Sequence, residues 1–122
     1  MHVLLVDDYA DALEVWEIFL SAAGFSVSTA SDGIVGLEKA RRMRPDVIVM
    51  DLQMPGLSGT ELALALRADA ATRHIPLIAA TGHARADLSD ARAAGFDSVI
   101  MKPCDPDDLV AEIRRLVAAA SV

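Results

Sequence analysis

A single cysteine, Cys104, in a chain of 122 residues leaves no internal disulfide framework. It fits a reducing compartment, and Cys104, with only Lys102 as a basic neighbour, reads as an inert small hydrophobe. No apolar run approaches the roughly 18 residues of a membrane span, and Met1-His2-Val3 enters a strand at once, leaving no room for a secretory signal. A soluble, cytoplasmic protein with no membrane partner is expected. Low-complexity tracts, internal linkers and repeats beyond a strand-helix alternation are all missing, so residues 1–122 are expected to form one domain with no output domain among them. Positive charge is scarce as well. Eleven basic against eighteen acidic residues give a formal charge of −7, which repels phosphate backbones and excludes nucleic acid as a partner of this domain alone. Lysine is rarer still, because nine of the eleven basic residues are arginine, and this singles out Lys102. The histidines, His2, His74 and His83, lack metal-ligand spacing and are assigned to surface or loop positions.

What the chain does have is apolar content, 53%, enough for a continuous core. Its organising stretch is Val47-Ile48-Val49-Met50-Asp51-Leu52-Gln53-Met54-Pro55-Gly56. Four consecutive apolar residues read as a strand buried on both faces, and the run stops at a carboxylate. Asp51 therefore sits at the carboxyl end of a strand, the edge where ligands bind in open parallel α/β sheets. Pro55 and Gly56 then supply the second and third positions of a turn.

Elsewhere the pattern alternates. His2 to Val6 is a short apolar strand closed by Asp7-Asp8, and Tyr9 to Ala23 turns helical, with Leu13, Trp16 and Leu20 on one face and Gly24 as its stop. Val15, Ile18 and Ala22 lie on nearly the opposite face, so this helix is either wedged deeply or keeps a stripe for a partner. Phe25 to Ala30 alternates as an edge strand does. Asp32 caps a helix expected to turn Ile34, Leu37 and Ala40 inward before Arg41, Arg42 and Pro45 end it. Ser58 and Glu61 form a capping box for a helix holding Leu62 and Leu66. Asp69 to His74 is a polar linker, Ile75 to Ala80 a fourth strand ending at Thr81, and about Ala84 to Ala94 a weakly apolar helix. Phe96 to Met101 is a fifth strand ending at Lys102-Pro103, followed by a clear amphipathic helix with Asp105 as N-cap, Pro106 first, and Leu109, Ile113, Leu116 and Val117 inward. Five strands alternating with five helices predict an α/β fold, (βα)5, with one mostly parallel sheet and helices on both faces.

The strand ends carry the chemistry. Asp7 and Asp8, Asp51, Thr81 and Lys102 all fall on one edge of such a sheet. Three carboxylates so placed repel one another unless a cation neutralises them, and Mg²⁺ suits an all-oxygen donor set that leaves positions for water or phosphate oxygens. A hydroxyl and an ammonium facing that site suit a phosphoryl group. The expected chemistry is attack of Asp51 on phosphorus to give an aspartyl phosphate, with Mg²⁺ and Lys102 neutralising charge on the equatorial oxygens.

The Asp7-Asp8 pair, Asp51 with Met54-Pro55 and Gly59 after it, Thr81, and Lys102-Pro103 together resemble the receiver domain of two-component response regulators over essentially the whole chain. That resemblance implies the CheY-like, flavodoxin-like strand order 2-1-3-4-5. It implies that Asp51 is the phosphoacceptor, loaded from a sensor histidine kinase or a phosphotransfer protein, so that the domain is a signalling device and not an enzyme acting on a separate substrate. Asp8, Asp51 and the backbone carbonyl of Gln53 would ligate Mg²⁺, Asp7 would act through a bound water, and Lys102, joined to Pro103 by a cis bond, would pair with the phosphoryl group. Thr81 would swing to hydrogen-bond a phosphoryl oxygen, a local event that biases a two-state loop and passes the signal to a downstream protein. Gln53 and His83 would tune loss of the phosphoryl group.

One departure stands out: receivers usually carry Tyr or Phe three residues before the lysine, and this chain has Val99. The usual coupling between the threonine and an inward-rotating ring cannot operate here. A flavodoxin is excluded because Asp7-Asp8-Tyr9-Ala10-Asp11 would repel the flavin phosphate, and a haloacid-dehalogenase-type phosphatase because Gln53 stands where a second acid is needed. The remaining alternative is a receiver-fold docking module that works without phosphorylation.

Overall fold

The runs of β-branched and aliphatic residues form β1 (His2–Val6), β2 (Ser26–Ala30), β3 (Val47–Met50), β4 (Leu77–Thr81) and β5 (Ser98–Met101) in a computed structural model that describes residues 1–52, 54, 56–82, 88–102 and 105–120. Between and after them lie α1 (Ala10–Ala22), α2 (Gly33–Met43), α3 (Gly59–Ala68), α4 (Leu88–Ala94) and α5 (Pro106–Ala120). All four strand pairings are parallel, in the order β2-β1-β3-β4-β5. This is the expected 2-1-3-4-5 order, in which the chain reverses direction across the sheet between β1 and β3.

Strand periodicity divides the core in two. Leu4, Val6, Ile48, Met50 and Ala79 point to the side covered by α2, α3 and α4, whereas Val3, Leu5, Val47, Val49 and Ile78 point to the side covered by α1 and α5. Both sides of β1, β3 and β4 are thus covered, which explains their uninterrupted apolar runs, while β2 at the edge keeps its alternation. Apolar burial of this kind contributes about 25 cal/mol per Å² and is the main force fixing the sheet that carries the site.

The helix starts follow the sequence signals. Asp32 accepts the Val35 N–H at 2.8 Å, Ser58 and Glu61 close a reciprocal capping box, and Asp105 accepts the Asp107 N–H at 2.9 Å with Pro106 the first helical residue. In α1, Leu13 and Leu20 are buried while Val15 and Ile18 are 61% and 64% exposed, so the second apolar face is a surface stripe.

Three expectations are corrected. Ile34 does not face inward; it is 67% exposed. The buried face of α2 is Gly33, Gly36 and Ala40, because the helix lies so close to the sheet that a Cβ on Gly36 would come within 3.0 Å of Val6. The fourth strand begins at Leu77 rather than Ile75: Pro76 has no N–H to add to the ladder, although its carbonyl accepts from Ile48 N at 3.0 Å. The fifth begins at Ser98, after a turn in which the Asp97 N–H donates to Leu77 O at 2.8 Å. The expected helical start at Ala84, and the readings at Gln53, Pro55, His83, Pro103 and Cys104, lie outside the described residues.

Candidate functional site

The ladder continues one residue beyond the strands and so fixes the acids. The Asp7 N–H donates to Ala30 O at 3.1 Å and the Asp51 N–H to Val6 O at 3.0 Å, which hold both residues at the carboxyl edge of the central strands. On the other side of β3, Thr81 closes β4 fully buried, and its carbonyl accepts the Lys102 N–H at 2.7 Å. Asp7, Asp8, Asp51, Thr81 and Lys102, separated by up to 95 positions in the chain, meet on one edge as the strand-end reading expects.

Carboxylate oxygens of Asp7, Asp8 and Asp51 lie within 4.8 Å of one another. Lys102 Nζ donates to Asp7 Oδ2 at 2.6 Å and lies 3.6 Å from Asp51 Oδ2, so its primary partner here is Asp7. Asp7 is only 7% exposed, and its other oxygen accepts the Tyr9 N–H at 3.0 Å. Both oxygens of Asp7 are therefore engaged. Three carboxylates against one ammonium leave two negative charges on the edge, the charge of one divalent cation. The donor set is all oxygen, and opposite ligands of an octahedral Mg²⁺ stand about 4.2 Å apart, so a small inward adjustment fits a hard cation. Asp8 is exposed and keeps the site open to solvent.

The chain leaves Asp51 along a constrained path. Gly56 adopts φ +77°, the left-handed turn position expected of it. Gly59 N–H donates to Leu52 O at 3.0 Å, and a Cβ on Gly59 would fall 2.1 Å from Asp51 O and 2.8 Å from Leu52 Cα. The start of α3 is thus packed directly against the backbone of Asp51, a contact between backbones that no side chain could tolerate. Gly59→Ala should lower stability by about 2–4 kcal/mol and displace Asp51, weakening Mg²⁺ binding in the same variant. Urea unfolding and metal titration read both effects; wild-type values for both would contradict the packing argument.

Beneath the edge, a cavity of about 20 Å³, room for about one water, is lined by Leu13, Trp16 and Leu109 together with Asp7, Asp51 and Lys102. Trp16 is the only tryptophan, so its fluorescence reports on the floor of the site. Val99 lies on β5 opposite Ala79 and packs against the α2–α3–α4 side of the core.

Known proteins resemble this chain in sequence and in fold. The DNA-binding response regulator MtrA of Mycolicibacterium paratuberculosis is 37% identical over 113 residues, 93% of this chain and 49% of MtrA, and the response regulator PleD of Caulobacter vibrioides is 36% identical over 116 residues, 94% of this chain and 26% of PleD. The chain thus spans half or less of the length of these curated relatives. Among solved structures, Vibrio cholerae chemotaxis protein CheY4 superimposes with a TM-score of 0.89 at 31% identity, covering 94% of this chain and 97% of that one. The receiver domain of sensor histidine kinase PA1611 from Pseudomonas aeruginosa, described with a magnesium ion coordinated in its active-site cleft, gives 0.89 at 30% identity, with 96% and 97% covered. A family profile for the response regulator receiver domain matches residues 3–114. A parallel sheet of order 2-1-3-4-5 that gathers three aspartates and a lysine at its carboxyl edge, matched over nearly its whole length by that profile, makes this chain a member of the response regulator receiver domain family, the phosphoacceptor modules of two-component signalling.

Proposed function

We propose that residues 1–122 act as one cytoplasmic receiver module in which Asp51 accepts a phosphoryl group from a phosphohistidine on a sensor kinase or phosphotransfer protein. The observation that carries this reading is the acidic triad with Lys102 at its side. An Asp51 oxygen attacks phosphorus, the bond from phosphorus to the donor nitrogen breaks, and an acyl phosphate forms. Lys102 leaves Asp7 or shares its protons to meet the incoming oxygens, a short movement given its 3.6 Å separation from Asp51. Thr81, adjacent to Lys102 through the backbone bond, would supply the hydroxyl that answers the new phosphoryl oxygens.

Mg²⁺ bound by Asp8, Asp51 and the Gln53 carbonyl would neutralise charge on the transferring group. Asp7 acts through a water in this reading, in keeping with the engagement of both its oxygens by Lys102 and Tyr9. The domain assists its own phosphorylation and dephosphorylation without processing a separate substrate. No described helix is long and apolar enough to cross a membrane. The exposed stripe of Val15, Ile18 and Ala22 on α1 is the proposed docking face for the phosphodonor.

The test couples metal to chemistry. Mg²⁺ titration should change Trp16 emission saturably, and chelator should abolish phosphorylation by acetyl phosphate while restoring the metal-free emission. Phosphorylation that survives chelation would overturn the proposed role of the triad. An Asp8→Asn variant should bind Mg²⁺ about 10–100-fold more weakly.

A further inference from the structure

We propose that the free edge of β2 is a pairing surface for β2 of a second copy of this chain, and that Lys39 holds it closed. The inference goes beyond phosphoryl chemistry and does not rest on it. In the order β2-β1-β3-β4-β5, β2 has a strand on one side only. Ser26, Ser28 and Ala30 turn their backbone groups to β1: Ser26 N–H donates to Met1 O at 2.9 Å, and Ala30 O accepts the Asp7 N–H at 3.1 Å. Val27 and Thr29, which alternate with them, therefore aim their N–H and C=O groups off the sheet. An edge of this kind is a template for a further strand unless something blunts it.

The strand does not blunt itself, because residues 24–31 contain no Asp, Glu, Lys or Arg. The block comes from α2. Lys39, one of only two lysines, reaches across from that helix, and its Nζ donates to Thr29 O at 2.5 Å. Among the described residues it is the only partner of the four outward groups. A second β2 is the occupant that fits this edge, because the strand is complementary to itself. Two copies laid antiparallel about a two-fold axis through Ser28 set Val27 of each opposite Thr29 of the other, and each pair exchanges two N–H···O bonds. Of the four bonds so formed, two need Thr29 O, one in each copy. The Lys39 ammonium stands where those incoming N–H groups would be, so the same contact that finishes the edge in one copy keeps the second away.

The test compares the full wild-type chain with Lys39→Met, which keeps an unbranched stem and loses the ammonium, and with Lys39→Arg, which keeps a cationic donor. Sedimentation equilibrium, in salt that screens the charge of −7 on each copy, measures association, and amide hydrogen exchange maps the contact. Lys39→Met should dimerise with a dissociation constant at least about tenfold below that of the wild type. In its dimer the Val27 and Thr29 amides should exchange at least about tenfold more slowly than in its diluted monomer. Lys39→Arg should match the wild type in both measurements, with amide spectra confirming that both variants fold. Association of folded Lys39→Met no tighter than that of the wild type, protection that misses Val27 and Thr29, or dimerisation of Lys39→Arg as tight as that of Lys39→Met would each overturn the proposal.

Discussion

Asp51→Asn should accept no phosphoryl group, and in the absence of metal it should nevertheless unfold at a higher urea concentration than the wild type. Asparagine keeps the shape of the side chain but has no anionic oxygen to attack phosphorus, so the loss is of the nucleophile itself. The stability gain has a different origin. Asp51 stands within 4.8 Å of two other carboxylates and 3.6 Å from an ammonium that is closer to Asp7. The neutral residue removes its repulsion with both carboxylates and gives up only the longer of the two contacts made by Lys102. Excess Mg²⁺ reverses the order. A ligand at a hundred times its dissociation constant stabilises the folded state by about 2.7 kcal/mol, and the variant, lacking one anionic ligand, gains less. Urea midpoints of both proteins, with chelator and with Mg²⁺, check the crossing. A variant less stable than wild type under chelation would show that the triad is not a repulsive cluster.

Lys102→Ala should slow phosphorylation by acetyl phosphate about 10²–10³-fold at saturating Mg²⁺, the cost of losing one placed positive group where charge develops in the transition state. It should also destabilise the protein by about 2–4 kcal/mol, because Asp7, nearly buried, loses its 2.6 Å partner and remains as an uncompensated carboxylate. The two effects separate in Lys102→Arg. A guanidinium still neutralises Asp7 and restores much of the stability, whereas its planar fork does not reproduce a compact ammonium between Asp7 and the phosphoryl position, so the rate stays low. Stopped-time phosphorylation and urea unfolding of the three proteins give both quantities. A Lys102→Ala rate within about threefold of wild type would remove Lys102 from the chemistry.

Much of this site could be read before any coordinates, for a definite reason. Buried parallel strands write their ends plainly: Val47 to Met50 stops at Asp51, His2 to Val6 at Asp7-Asp8, and Leu77 to Ala80 at Thr81. Once the strands are parallel, all their ends share an edge. Helix caps at Asp32, Ser58 and Asp105 are equally local and equally legible. What was not legible depends on how closely two distant segments approach. Ile34 looked like a core residue by size and spacing, yet α2 turns Gly36 toward Val6 of β1 and Gly33 toward the backbone of Leu57, approaches too close for a larger residue, and Ile34 is left on the exposed side. Gly59 could be noticed in the motif, but its reason, a backbone 2.1 Å from where its Cβ would be, exists only in three dimensions. That Lys102 rests on Asp7 rather than on Asp51 is set by about an ångström of side-chain reach, below what spacing can express. Val99 was visible as a departure, but its packing against the α2–α3–α4 side of the core needed the register of β5 on β4.

We propose that Asp51, alone among three neighbouring aspartates, is the residue phosphorylated. Treating the wild-type chain with acetyl phosphate and Mg²⁺, reducing the acyl phosphate with borohydride and mapping the peptides by mass tests it most directly. Reduction turns a phosphorylated aspartate into homoserine and leaves free carboxylates unchanged. Homoserine at position 51, absent at positions 7 and 8 and absent under chelation, is the result predicted; homoserine at Asp7 or Asp8 with Asp51 intact would contradict it.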